Sequence, residues 1–186
     1  MKISWRIIFC LAIISLSLEV FLLSRQNREL KGRLKLLVGN VAIREGDNVP
    51  DFKAFSCISG QEINFVYDGK VPYTLLFVFS ISCGACERNL ANWSEIADSL
   101  STKSCRVAGI CIDLNDEMKN DVSIIGMNYL VYVPTDTAFT KGYKPYLTPQ
   151  TILIDAKGRI RHVWTGILEK REKEQIITTL NRTVLS

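Results

Sequence analysis

Cys83-Gly84-Ala85-Cys86 follows directly on the apolar run Tyr73-Thr-Leu-Leu-Phe-Val-Phe79, and this junction constrains the fold more than any other feature of the chain. Seven β-prone residues predict a buried strand, and Glu87 through Leu100 predicts a helix. The cysteines therefore fall at a strand-to-helix turn. There the first sulfur faces unpaired amides and the partial positive charge of a helix start, which favours thiolate over thiol. Two intervening residues let one thiolate attack an outside disulfide and the other close on it. Such spacing at such a turn predicts a redox pair rather than a structural bond.

Further elements follow by the same reading. Phe52–Phe55 and Glu62–Phe65 alternate as short strands around Ser59-Gly60. Arg106–Ile112 is a second buried strand, residues 116–126 are weakly helical, and Tyr129–Val133 is a short strand. Asp136–Gly142 is a turn or short helix. Thr151–Ile154, Asp155–Gly158 and Arg159–Trp164 form strand, turn and strand, and Leu168–Leu180 closes the chain as a helix. This order predicts an α/β sheet covered on both faces.

The net charge of +4 is unevenly placed. Residues 1–39 carry seven Lys/Arg against two acids, whereas residues 40–186 carry 16 against 17. A nucleic-acid footprint on the globular part is thus unsupported. Ile3–Leu23 is largely apolar and predicts an uncleaved transmembrane anchor over residues 1–24. A signal peptide is the rival, but Leu22-Leu23-Ser24-Arg25 offers no small-x-small cleavage site. Leu30, Leu34 and Leu37 continue as a stalk or surface helix over residues 25–45. Five basic residues from Arg25 to Lys35 follow the apolar run, and the positive-inside rule would then put the domain in the cytoplasm.

Thr148-Pro149-Gln150-Thr151 stands just ahead of the strand Ile152–Ile154. A proline there cannot donate to a ladder, so an edge strand or an irregular approach is expected. With Cys83-x-x-Cys86, the pattern resembles the thioredoxin superfamily, and most closely the membrane-anchored thiol–disulfide oxidoreductases of bacteria: the cytochrome-c-maturation reductases, TlpA and redoxin-type domains. The resemblance extends to Gly46-x-x-Val-Pro-Asp-Phe52, Ser59-Gly60-Gln61, Asp155-x-x-Gly158 and Trp164-x-Gly166. It implies a thioredoxin-like domain over residues 46–186, a central mixed sheet flanked by helices, with an N-terminal β-hairpin. It also implies a domain on the extracytoplasmic (periplasmic) side, against the charge count.

By that resemblance Cys83 is the attacking thiolate, Cys86 the resolving thiol, and Thr148–Pro149 a cis peptide whose backbone meets substrate. The partners implied are a protein carrying a disulfide or dithiol and a membrane or soluble electron donor; no cofactor is implied. Reduction rather than oxidation of substrate is favoured by the resemblance alone. Departures are plain: Ser82 replaces the Trp of many relatives, Phe77 stands where thioredoxin has a buried acid, and Asn89 where some reductive relatives have Glu. No proton-handling carboxylate is identifiable by position.

Two other function classes compete. A peroxiredoxin-type peroxidase would need a Thr three residues before its reactive Cys and a Pro upstream, where this chain has Ser80 and Leu76. A metallochaperone or redox-gated interaction module would need only the two cysteines. Of the rest, Cys10 lies in the apolar segment, Cys111 reads as a core residue, and Cys57 and Cys105 sit near element ends where exposure is expected. Zinc held by Cys83, Cys86, Cys105 and Cys111 would require Cys111 to leave a core strand. His162, the sole histidine, reads as a sheet-surface residue.

Overall fold

The computed structural model describes residues 5–100, 105–113 and 127–182, which divide into two compact units at Val41/Ala42. The first unit is one helix, α1 (Trp5–Val41). Among the described residues no helix is long and apolar enough to cross a membrane. This overturns the expected anchor over residues 1–24, and with it the single-pass membrane localisation expected to hold the domain on the extracytoplasmic side. The physical reason is length and charge. A span needs about 20 consecutive apolar residues, whereas Ile7–Leu23 counts 17 and already contains Glu19. The helix then continues through Arg25, Arg28 and Glu29.

In the second unit the chain runs β1 (Phe52–Ser56), β2 (Glu62–Phe65), β3 (Tyr73–Phe79), α2 (Gly84–Ser99), β4 (Cys105–Cys111), β5 (Leu130–Pro134), α3 (Thr137–Tyr143), β6 (Gln150–Asp155), β7 (Ile160–Thr165) and α4 (Lys170–Arg182). The expectation for residues 116–126 falls outside the described residues. Seven strands form one mixed sheet in the order β2-β1-β5-β4-β3-β6-β7. At its centre β3 pairs in parallel with β4 and antiparallel with β6. An all-apolar run such as Leu75–Phe79 suits that position, because both its faces are covered.

One face of the sheet packs under α2 and α4, with Phe77, Phe79, Trp93, Ile96, Ile176 and Leu180 at its core. The other packs under α3, where Phe52, Phe65, Phe139 and Tyr143 form an aromatic cluster; Phe139 and Tyr143 stack with centroids 4.5 Å apart. The short helix at Asp136–Gly142 is realised as α3, its first turn capped by the Asp136 carboxylate accepting the Ala138 amide at 3.0 Å.

Thr148–Pro149 is a cis peptide leading into β6. The strand itself is internal rather than an edge, since β3 and β7 occupy its two sides. Pro149 escapes the ladder penalty by standing one residue before the pairing begins at Gln150.

Candidate active site

Cys83 is the N-cap of α2, with extended backbone (φ −96°, ψ 104°), and its carbonyl accepts the Cys86 and Glu87 amides at 2.9 and 3.2 Å. The sequence dictates this start: apolar Phe79 ends the buried strand, the Ser80–Ser82 turn follows, and small Gly84 and Ala85 open the first helical turn. Cys83 is half-buried and Cys86, one turn on, is buried; both are free thiols.

Their environments drive the two sulfurs apart. A hydrogen bond from Cys86 lowers the Cys83 thiol below its ordinary value; partial burial opposes it, and contacts with Thr148 and the Cys86 and Ala85 amides reinforce it. Burial pushes Cys86 up to about 11, helped by its bond to Cys83. The surroundings thus favour ionisation of Cys83 over that of Cys86. Opposite them, the Thr148 carbonyl lies 3.7 Å from Cys83 Sγ. Pro149 is buried, and its carbonyl is taken by the Gly166 amide at 2.8 Å. The structure thus gathers Cys83, Cys86, Thr148 and Pro149 at one end of the sheet.

The remaining candidates lie elsewhere. Cys105 is buried at the foot of β4, contrary to the exposure expected from its place near an element end, and burial raises its thiol to about 12. Cys111 is buried and raised to about 12 by the same cause. Cys57 is half-buried. The side chain of Cys10 lies outside the described residues. His162 is partly exposed on β7, paired with Glu45 and set against Trp164 at 4.1 Å between ring centroids. Among the described residues no cluster of three or more His, Cys, Asp or Glu side chains is placed to hold a metal ion.

By position the sequence identifies no proton-handling carboxylate, and Glu87, next to Cys86, is exposed; the structure brings in a second carboxylate. Asp113, two residues past the end of β4, reaches the turn that precedes Cys83. The only sequence signal for it is the acid that ends the buried strand Arg106–Ile112.

One thiol biased toward its anion and a second held protonated in reserve are what thiol–disulfide oxidoreductases require, and the chain is of that class. Residues 44–180 match the Redoxin family, and the chain belongs to that family. Solved structures of the same fold include a thiol:disulfide interchange protein from Bacteroides sp., 16% identical, with a TM-score of 0.60 over 75% of this chain and 91% of that one. An exposed lipoprotein thioredoxin from Streptococcus pneumoniae is 21% identical, with a TM-score of 0.58 over 72% and 99%. A thiol:disulfide interchange protein of the thioredoxin family from Chlorobium tepidum is 18% identical, with a TM-score of 0.57 over 75% and 99%. No curated protein sequence matches the chain.

Proposed function

We propose that residues 46–186 exchange the Cys83–Cys86 dithiol with disulfides of substrate proteins. The observation that carries this reading is the half-exposed Cys83 at the start of α2, facing the Thr148 carbonyl, with Cys86 buried one turn behind it; the opposed shifts of the two thiols support it. The Cys83 thiolate attacks one sulfur of a substrate disulfide, forming a Cys83–substrate bond and expelling the first substrate thiolate. Cys86 gives up its proton and attacks Cys83 Sγ, expelling the second. Two electrons have then passed to the substrate, and the chain holds a Cys83–Cys86 disulfide that a separate dithiol donor must reduce. The backbone of Thr148 and Pro149, facing Cys83, would align the substrate segment.

Reduction is the favoured direction by family resemblance, and the reverse sequence would oxidise substrate dithiols. The peroxidase alternative is further weakened because the Ser80 hydroxyl, at the position of the required Thr, donates to Asp113. The test is the equilibrium of the full chain with a thiol buffer. A potential near about −270 mV supports a reductase and one near about −120 mV an oxidant. Absence of a Cys83–Cys86 disulfide at every poise would sink the proposal. In the same assay a Cys86→Ser variant should accumulate the Cys83 mixed disulfide, and Cys83→Ser should abolish exchange.

A further inference from the structure

The turn between β3 and α2 consists of Ser80, Ile81 and Ser82, and its polar hydrogens converge on one carboxylate. Asp113 Oδ2 accepts the Ser80 hydroxyl at 2.6 Å, the Ser82 hydroxyl at 3.0 Å and the Ser82 amide at 3.4 Å. Its Oδ1 accepts the Ile81 amide at 2.8 Å, and the Cys111 thiol lies 3.6 Å from the same oxygen. The two serine hydroxyls are themselves 2.8 Å apart. Parallel pairing brings these groups together. Phe79 stands opposite Cys111, and the Ile112 amide donates to the Phe79 carbonyl at 3.0 Å, so both chains leave the sheet side by side.

The clasped turn is bonded to both cysteines of the pair, to the backbone of Cys83 and to the sulfur of Cys86. The Ser80 carbonyl accepts the Cys83 amide at 3.3 Å, and the Ser80 backbone hydrogen-bonds the Cys86 sulfur. Partial burial works against ionisation of Asp113, but the bonds from Ser80, Ile81 and Ser82 outweigh it and hold the carboxyl below the usual range. It is therefore an anion at neutral pH, and charge-assisted bonds of this kind are the strong ones.

We infer that Asp113 is a positioning residue for the redox pair: its carboxylate fixes the Ser80–Ser82 turn and thereby the placement of the Cys83 and Cys86 sulfurs. The inference rests on the exchange reading above. A proton carrier would have to bond one of the two sulfurs and titrate near the working pH. Asp113 does neither, since among the described residues its sulfur contact is with Cys111 and its bonds keep it ionised.

Position and charge predict opposite signs for Asp113→Asn. Removing a nearby negative charge, with nothing else altered, stabilises the Cys83 thiolate and speeds its alkylation. Loosening the turn removes the sulfur from its amide donors and slows it. The experiment measures iodoacetamide alkylation of Cys83 against pH in the full chain, together with the equilibrium of the pair against a thiol buffer. The expected result for Asp113→Asn is roughly tenfold slower alkylation at neutral pH, the scale of one lost charged hydrogen bond, with a midpoint shifted to higher pH. Asp113→Glu, which keeps the acceptor charge, should recover part of the loss.

Alkylation unchanged or faster in a folded Asp113→Asn protein overturns the inference. Should that variant not fold, Ser82→Ala removes a single surface donor from the clasp, and an unchanged midpoint there is equally fatal. Alkylation does not require a disulfide. If the wild-type chain forms none, the exchange reading fails, while the placement of Cys83 by Asp113 is still decided by the alkylation midpoints.

Discussion

The Trp93 indole Nε1 donates to Thr151 Oγ1 at 2.8 Å, joining the helix that carries the cysteines to the strand that follows Pro149. Both side chains are buried, and the Trp93 ring stacks on Phe77 at 5.1 Å between centroids. Trp93→Phe should preserve the stack and strand the threonine hydroxyl, at a cost of about 1–3 kcal/mol. Thr151→Val alone should strand the indole. The double variant should cost less than the sum of the two, and urea titration of all four proteins measures the coupling.

Thiol selectivity should follow burial and helix position. At neutral pH a limiting alkylating agent should modify Cys83 before Cys86, whose thiol stands at about 11, and before Cys105 and Cys111, at about 12. Cys83 is lowered, so its rate should rise with pH and level off at a lower pH than that of an unperturbed thiol, about 8.5. Peptide mapping of the labelled chain checks the order. Labelling of Cys86 ahead of Cys83 would contradict it.

Asn89 stands where some reductive relatives carry Glu, and here it performs a structural task. Its Oδ1 accepts the buried Leu168 amide at 3.1 Å and the Asn92 side chain at 3.1 Å. Asn89→Leu leaves that amide without its partner and should destabilise the fold by about 1–3 kcal/mol. A thermal or chemical denaturation midpoint unchanged from wild type would refute this.

Two glycines should respond oppositely to alanine. At Gly142 a Cβ would lie 2.3 Å from the Pro50 ring, a rigid neighbour, so Gly142→Ala should cost at least about 1–3 kcal/mol. At Gly84, between the cysteines, the nearest atom is the flexible end of Arg88 at 3.9 Å. Gly84→Ala should therefore stabilise by about 0.4–1 kcal/mol through the unfolded chain. Paired denaturation curves would show the contrast.

Much of this architecture is written locally. The runs at 73–79 and 105–111 are apolar and β-branched enough to be read as buried strands, and the cysteine turn is placed by what surrounds it. Asp113 is different: it follows Cys83 by 30 positions and becomes its neighbour only through the β3–β4 register. Cys105 misleads for a related reason, since proximity to an element end says nothing about which other strands and helices cover that end. The N-terminal segment misleads through composition. An apolar run of 17 residues suggests a span, and one acid within it together with the charged continuation of the helix removes that reading.

The register of β3 gives the second unit a front and a back. Its last residues align with Cys111 on one side and with Gln150 on the other, so the reactive sulfurs, Asp113 and Thr148 all emerge from the same end. The strand enters six residues earlier at Tyr73, roughly 20 Å away, behind the exposed Asp68-Gly69-Lys70 turn, where a Cβ on Gly69 would meet nothing. A fluorophore or affinity handle inserted at that turn would leave the exchange surface open, which makes it the place to attach a probe for watching substrate arrive.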